Sequence, residues 1–236
     1  MSKKLGKVGP DRYCQTREGS VINEILAATG LIKDKNEKSL EPQTAVDIGA
    51  GNGSLLSNTR HLEEDFGWKR YMFDAQGRGN SNVIQCWITR DNIGTLLQEA
   101  KVPLNCTLIS LDLDGNDYWI WKSILKQYKP RIICTEVNNK FSPTEPYTLV
   151  YNKDHVWRNK DLHYGASWLA FNNLFKRHGY HYIRCTPDRD NVLNCFWCLN
   201  ELITPKVREM TEKGPNRCLI AGRIQLSGNP KLQRTD

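Results

Sequence analysis

The sequence predicts an α/β protein, a seven-stranded and mostly parallel sheet sandwiched between helices. Three observations carry that expectation. Short apolar runs alternate with segments of helical spacing between residues 44 and 200. The first run ends in a turn with three glycines at alternate positions, Gly49, Gly51 and Gly53, and a helix-compatible stretch follows it. The last two apolar runs, 180–185 and 194–199, are joined by a polar stretch with no helix between them.

Residues 1–43 read as a polar lead-in around one short helix, because Val21, Ile22, Ile25 and Leu26 share a helical face and Gly30 supplies a stop. In folds of this kind such a helix often covers the ligand cleft. The first strand is expected at 45–48 and its helix at 54–65, with Ser54 as N-cap and Gly67 as stop. A second strand at 68–74 closes on Asp74. A third strand at 83–89 leads to a short helix at 91–100. The fourth strand, 106–111, is almost continuously apolar, as suits a central parallel strand buried on both faces. It delivers Asp112, Asp114 and Asp117 within six residues, ahead of a helix bearing Tyr118, Trp119, Trp121, Ile124 and Leu125. The fifth strand, 131–136, ends on Glu136.

The segment 137–164 is rich in Pro, Asn, Tyr and Trp and has no periodicity, so it is expected to be a substrate loop. A helix over 166–178 with Gly179 behind it precedes the two final strands. Residues 204–236 are basic and weakly patterned, and a partly disordered tail is expected there. The organisation is thus a lead-in at 1–43, one catalytic-type domain at 44–203 and a basic tail at 204–236, without internal repeats.

At 236 residues the chain suits one full core. No run approaches the roughly 18 apolar residues that span a membrane. The basic first ten residues have no apolar centre, so they do not read as a secretory signal, and Pro10 with Asp11 disfavours a mitochondrial presequence; a cytoplasmic protein is expected. The net charge of +7 is scattered, apart from the diffuse tail, and permits acidic partners such as RNA without demanding them. Of eight cysteines, only Cys195 and Cys198 are closely spaced, and residues three apart on a strand face opposite ways. Free buried thiols in a reducing compartment are the expected state, with no zinc site. The glycosylation sequons at Asn52 and Asn105 are read as chance.

Asp47 stands two residues before the first glycine. A strand that feeds a glycine-rich turn places free backbone N–H groups beside a ligand. An acid at the strand end accepts hydrogen bonds from an amino-bearing ligand, which a pyrophosphate does not offer. This acid-plus-GxGxG pattern resembles the first motif of class I S-adenosylmethionine (SAM) dependent methyltransferases, and differs from the GxGxxG of dinucleotide folds, which disfavours NAD. The resemblance implies a Rossmann-like methyltransferase sandwich. It implies a SAM cradle of Asp47, Gly49, Ala50, Gly51 and Gly53, with Asp74 at the ribose, 88–92 flanking the adenine, and Asp112 at the cofactor's edge.

Three readings compete for the acidic cluster. Asp112 or Asp114 is a general base for an acceptor hydroxyl. Alternatively these acids, with Glu136 or Asn138, hold Mg²⁺ through oxygen ligands. In the third reading they are turn and cap residues without chemistry. The run Leu111-Asp112-Leu113-Asp114-Gly115-Asn116-Asp117, with the glycine motif upstream and His163-Tyr164-Gly165-Ala166-Ser167 downstream, resembles FkbM-type methyltransferases over about 44–200. That implies O-methylation of a small hydroxylated molecule or a sugar. The Asp-x-Asp segment also resembles that of Mg²⁺-dependent sugar O-methyltransferases. Two departures stand out: Phe73-Asp74-Ala75-Gln76 replaces a Phe-Glu-Pro-like segment, and the Lys-Asp-Lys-Glu tetrad of cap-ribose methyltransferases has no match. An RNA cap-ribose enzyme, or a non-catalytic SAM-fold subunit that binds RNA or protein, is the alternative. His163 is a further candidate base or substrate contact. Trp119, Trp121, Trp157 and Trp168 are candidates either for stacking on a base or sugar or for the core.

Overall fold

A computed structural model of the chain describes residues 9–32, 43–77, 79–158, 161–186, 193–212 and 226–235. The sheet grows outward from β1 (Thr44–Ile48) and β4 (Leu108–Leu111), in which every residue is buried. On one side lie β2 (Lys69–Asp74) and β3 (Val83–Gln85), and on the other β5 (Ile132–Glu136), β8 (Asn194–Leu199) and β7 (Tyr180–Cys185). The order is β3-β2-β1-β4-β5-β8-β7. Strand β8 alone runs antiparallel to its neighbours. This is the Rossmann-like, seven-stranded sandwich expected, and its order reverses between β1 and β4, where such sheets open a crevice at their carboxyl edge. A second sheet pairs β6 (Tyr147–Leu149) with β9 (Leu232–Arg234).

The two-residue period of the strands divides the core into two layers. Val46, Ile48, Ile109, Leu111, Ile133 and Trp197 face one way and pack under α3 (Ile93–Glu99), α4 (Asp117–Ile124) and α5 (Trp168–Arg177). The aromatic contacts Trp121–Phe175 and Phe175–Trp197, with centroids 5.3 and 4.8 Å apart, lock that layer. Ala45, Leu108, Ile132, Cys134 and Phe196 face the other way, under α1 (Glu18–Ala28), α2 (Arg60–Phe66) and α6 (Pro205–Met210). Cys195 lies in the first layer and Cys198 in the second, so the pair cannot ligate one ion. The seven cysteines of the described residues are all free thiols. No helix among the described residues is long and apolar enough to cross a membrane.

The structure departs from the sequence reading in four places. Helix α1 uses its Val21, Ile22, Ile25 and Leu26 stripe against the sheet and does not cover the cleft; the segment ahead of it does, through Tyr13 and Gln15. Helix α2 begins at Arg60, six residues later than expected. Residues 49–59 are held in turns because Asn52 Oδ1 accepts from Ser54 and Leu55 N–H (both 2.9 Å) and Leu56 sits at φ 57°. Strand β3 stops at Gln85 instead of continuing to 89. Finally, the insertion is not structureless and the described part of the tail is ordered: β6 and β9 join them.

Candidate active site and cofactor cleft

A cleft of about 1220 Å³ opens along the carboxyl ends of β1, β2, β4 and β5. Its floor is the glycine turn. Gly49 and Ala50 N–H both donate to Phe73 O (2.9 and 3.1 Å), so the turn is folded over the end of β2. Gly49, at φ 86°, lies so close to β4 that a Cβ would come 1.8 Å from Asp112 O. Gly51, at φ 57°, lines the cleft, and a Cβ there would meet no protein atom within 4 Å. Gly53 packs beneath the turn against Met72 and is not among the lining residues.

Asp47 is also placed under the cleft and not along it. Its Oδ2 accepts from the hydroxyls of Ser57 and Thr59, both at 2.8 Å. Burial pushes its carboxyl up, and those two hydroxyls pull it back down. Asp47 therefore shapes the turn that forms the floor of the cleft, and it is not among the residues that line the cleft. Asp74 does line the cleft, and three backbone groups hold it there. Its Oδ2 accepts from Gly51 N–H (2.9 Å), its Oδ1 from Gln76 (2.8 Å) and Gly77 (3.3 Å). Beyond it, Cys86, Trp87 and Ile88 form the wall; of the expected flank 88–92, Ile88 is the residue among the lining.

Asp112 and Glu136 meet at the ends of the adjacent strands β4 and β5. Burial drives both carboxyls well above the ordinary range, and the charges of Asp114 and Asp117 push both the same way; Asp112 raises Glu136 further, while the hydrogen bond from Glu136 draws Asp112 part of the way back. Two like charges at so short a range oppose each other, and the hydrogen bond between the two carboxyls, or a cation held by them, offsets that repulsion. Asp112, Asp114 and Glu136 offer one oxygen each within 4.8 Å of one another. Asp114 stands in the left-handed region at φ 53°. Asn138 is not a fourth ligand: its amide donates to Leu162 O and Tyr164 O, and its Oδ1 accepts from Lys140 N–H. Asp117 is structural, accepting from Leu113 and Gly115 N–H (both 2.8 Å), and burial raises its carboxyl to about 6.

Residues that the sequence reading passed over come from the insertion. Lys140 is buried in the cleft wall with Nζ 3.3 Å from the Tyr164 hydroxyl. His155 lies against Gly115, with Nε2 3.2 Å from Asp114 O. Asn116 and Asn152 exchange two hydrogen bonds (2.7 and 3.2 Å), and Trp87 Nε1 donates to Lys153 O (2.8 Å). His163 is placed outside the lining, its ring nitrogens engaged by Asp161 and Asn229. Of the four candidate tryptophans, Trp121 is core, Trp119 donates to Leu149 O, Trp168 packs on Tyr182, and Trp157 lines the cleft, as Trp87 does.

Below the turn, His61 is fully buried and hydrogen-bonded to Asn23, and burial lowers its imidazole to about 4. A folded-state value below the unfolded one means stability that is complete above the unfolded value near 6.5 and lost as pH falls towards 4. Between pH 7 and 5 the wild type should therefore lose about 2 kcal/mol more than His61→Asn, as read by urea melts. Parallel loss in the two proteins would show that His61 is not held neutral.

No family model matches the chain, and no curated protein does. Solved structures to which it is similar include the CMeT domain of citrinin polyketide synthase, at TM-score 0.42 and 13% identity over 81% of this chain and 55% of that one. The METTL16 MTase domain gives TM-score 0.45 and 8% identity over 76% and 66% of the two chains. A SAM dependent methyltransferase from Aquifex aeolicus gives 0.38 and 14% over 82% and 100%. The chain spans little more than half of the first of these. The fold assignment rests on the chain's own strand order and not on these likenesses.

Proposed function

We propose that the chain is a SAM-dependent methyltransferase that methylates a hydroxyl of a small polyhydroxylated molecule or sugar. The observation that carries this reading is the hydrogen-bonded carboxyl pair Asp112–Glu136, which lines the same cleft as the glycine turn and Asp74. The cleft's residues fit the cofactor. Gly51 leaves its wall clear where any side chain would intrude, Asp74 presents a carboxylate fixed by three N–H donors, and Ile88 offers an apolar wall suited to a purine. When bound, SAM supplies an electrophilic methyl group on a sulfonium. Asp74 would accept hydrogen bonds from the ribose hydroxyls, and the turn 49–51 would pass beneath the amino-acid part.

On the acceptor side the Asp112–Glu136 pair orients the hydroxyl and takes its proton as the oxygen gains the methyl group. A raised carboxyl is a better base near neutral pH than an ordinary one. Lys140 and Tyr164 close the wall behind it and exclude water. The acids along this floor disfavour a polyanionic acceptor despite the chain's positive net charge, so the RNA alternatives fall behind. A second reading has one observation in its favour, the three oxygens of Asp112, Asp114 and Glu136 within reach of one ion. In it, those three carboxylates would hold Mg²⁺, which would orient the acceptor hydroxyl and lower its pKa, and EDTA would abolish turnover until Mg²⁺ is restored.

Titration calorimetry with SAM and S-adenosylhomocysteine (SAH) tests the cofactor. Micromolar binding is expected, without NAD binding. Asp74→Ala should weaken it by about 1.5–3 kcal/mol, roughly tenfold to a hundredfold, the loss of hydrogen bonds to a charged group. An empty, folded protein that takes up neither compound is not a SAM enzyme.

A further inference from the structure

The end of the described chain reaches back to the insertion that walls the acceptor side. Strand β9 pairs with β6 in register Tyr147–Arg234, Thr148–Gln233 and Leu149–Leu232. Val150 N–H donates to Lys231 O (2.9 Å) and Thr235 N–H to Pro146 O (2.7 Å), extending the ladder at both ends. Leu226 and Leu232 bury themselves against Phe141 and Leu149, a small apolar cluster separate from the two main layers.

Beside this ladder runs a polar chain that ends at the cleft. Asn229 Oδ1 accepts from Lys231 N–H (3.0 Å), so its amide nitrogen is the group turned toward His163 Nε2, at 3.1 Å. With Nε2 accepting, Nδ1 carries the ring proton and donates it to Asp161 Oδ1 at 3.1 Å. The same Oδ1 accepts from His163 N–H (3.0 Å), and Asp161 O accepts from Trp157 Nε1 (3.0 Å). Asp161 and Trp157 both line the cleft, whereas His163 and Asn229 do not.

We propose that residues 226–235 form a clasp that fixes the acceptor-side wall of the cleft, with Asn229 acting through His163 as a positioning residue for Asp161. The apolar half of the clasp, Leu226 and Leu232, holds β6 down. The polar half selects one imidazole tautomer and with it the direction in which the Asp161 carboxylate faces. The word "acceptor" rests on the methyltransferase reading; the clasp itself does not.

The full chain carries the test, as wild type, Asn229→Asp, Leu232→Asp and Leu232→Ala. Ring ¹⁵N resonances of His163 should report a neutral, Nδ1-protonated ring in the wild type. Asn229→Asp offers an acceptor in place of a donor, so Nε2 should become protonated. A merely space-filling Asn229 would leave the ring's protonation pattern unchanged, and that result would overturn the positioning role. Leu232→Asp should cut hydrogen-exchange protection across 147–150 by tenfold or more while SAH affinity stays within threefold. Should that variant lose its far-ultraviolet dichroism, Leu232→Ala is read at the same peptides with a smaller expected loss. Unchanged protection there would refute the clasp. Failure of the wild type to bind SAH would sink the enzyme reading and leave both of these readouts intact.

Discussion

Asp112→Asn is expected to lower methyl transfer by about 10³-fold, within the 10²–10⁴-fold range of a lost general base, while SAH binds within a few-fold of wild type. The assay is SAH release across a panel of sugars and polyols. The variant should also be more stable than wild type at neutral pH. Asp112 and Glu136 are raised by burial first and by neighbouring carboxylates next, Asp114 for Asp112 and Asp112 for Glu136, so part of the folding free energy is consumed in holding the acids together. A raised folded-state carboxyl binds its proton more tightly folded than unfolded; stability is then lost as pH climbs from the ordinary carboxylate range through the raised one. Removing one charge removes that loss. Glu136→Gln separates the base from the metal reading. It deletes a like charge, so Asp112 ionises at lower pH and the acid limb of the rate profile moves down with turnover retained. If Mg²⁺ sits there instead, Glu136→Gln removes a ligand, turnover collapses, and added metal restores part of it. Equal SAH release by wild type and Asp112→Asn would end the base assignment.

How much of this was legible depends on the range over which each signal acts. The sheet was legible because burial on both faces imposes continuous apolar runs such as Leu108–Leu111, and because Gly49 and Gly51 announce a backbone no other residue holds easily. Helix α2 was misplaced for a tertiary reason. Asp47 is buried and takes its donors from Ser57 and Thr59, so those residues serve a strand carboxylate instead of continuing a helix. The small sheet left no trace, since three-residue strands carry no period and Leu149 finds Leu232 far along the chain. Lys140, His155 and Asp161 reach the cleft from that same insertion and were invisible for the same cause. The net charge of +7 permitted polyanions without demanding them, and the groups nearest the chemistry are carboxylates. Charge acts at the distance of the ligand, not over the whole surface.

Gly49→Ala should be the most damaging Gly→Ala substitution among the described glycines, since it combines a positive φ with the shortest Cβ approach to backbone. Two independent costs fall on it. An L-residue at φ 86° carries about 1–2 kcal/mol of left-handed strain. The new Cβ would also stand 1.8 Å from Asp112 O, a backbone atom of the central strand β4 that cannot swing aside, and overpacking of that kind costs about 1–3 kcal/mol. The sum, about 2–5 kcal/mol, is a large share of an ordinary domain's 5–15 kcal/mol. Relief requires β1 and β4 to part at the edge where the turn and Asp112 meet, so cofactor affinity should fall together with stability. Two other glycines separate the costs. Gly51 has φ 57° but no neighbour within 4 Å of a Cβ, so Gly51→Ala should show only the backbone strain in urea melts while still weakening SAH, because it lines the cleft. Gly67, the left-handed cap of α2 at φ 68°, also has an open Cβ position, and Gly67→Ala should lose about 1–2 kcal/mol with SAH affinity unchanged. The affinity losses should rank 49, then 51, with 67 unaffected. If Gly67→Ala weakens SAH as much as Gly49→Ala does, the effect is general softening of the fold, and the contact between the turn and Asp112 has no special part in holding the cleft.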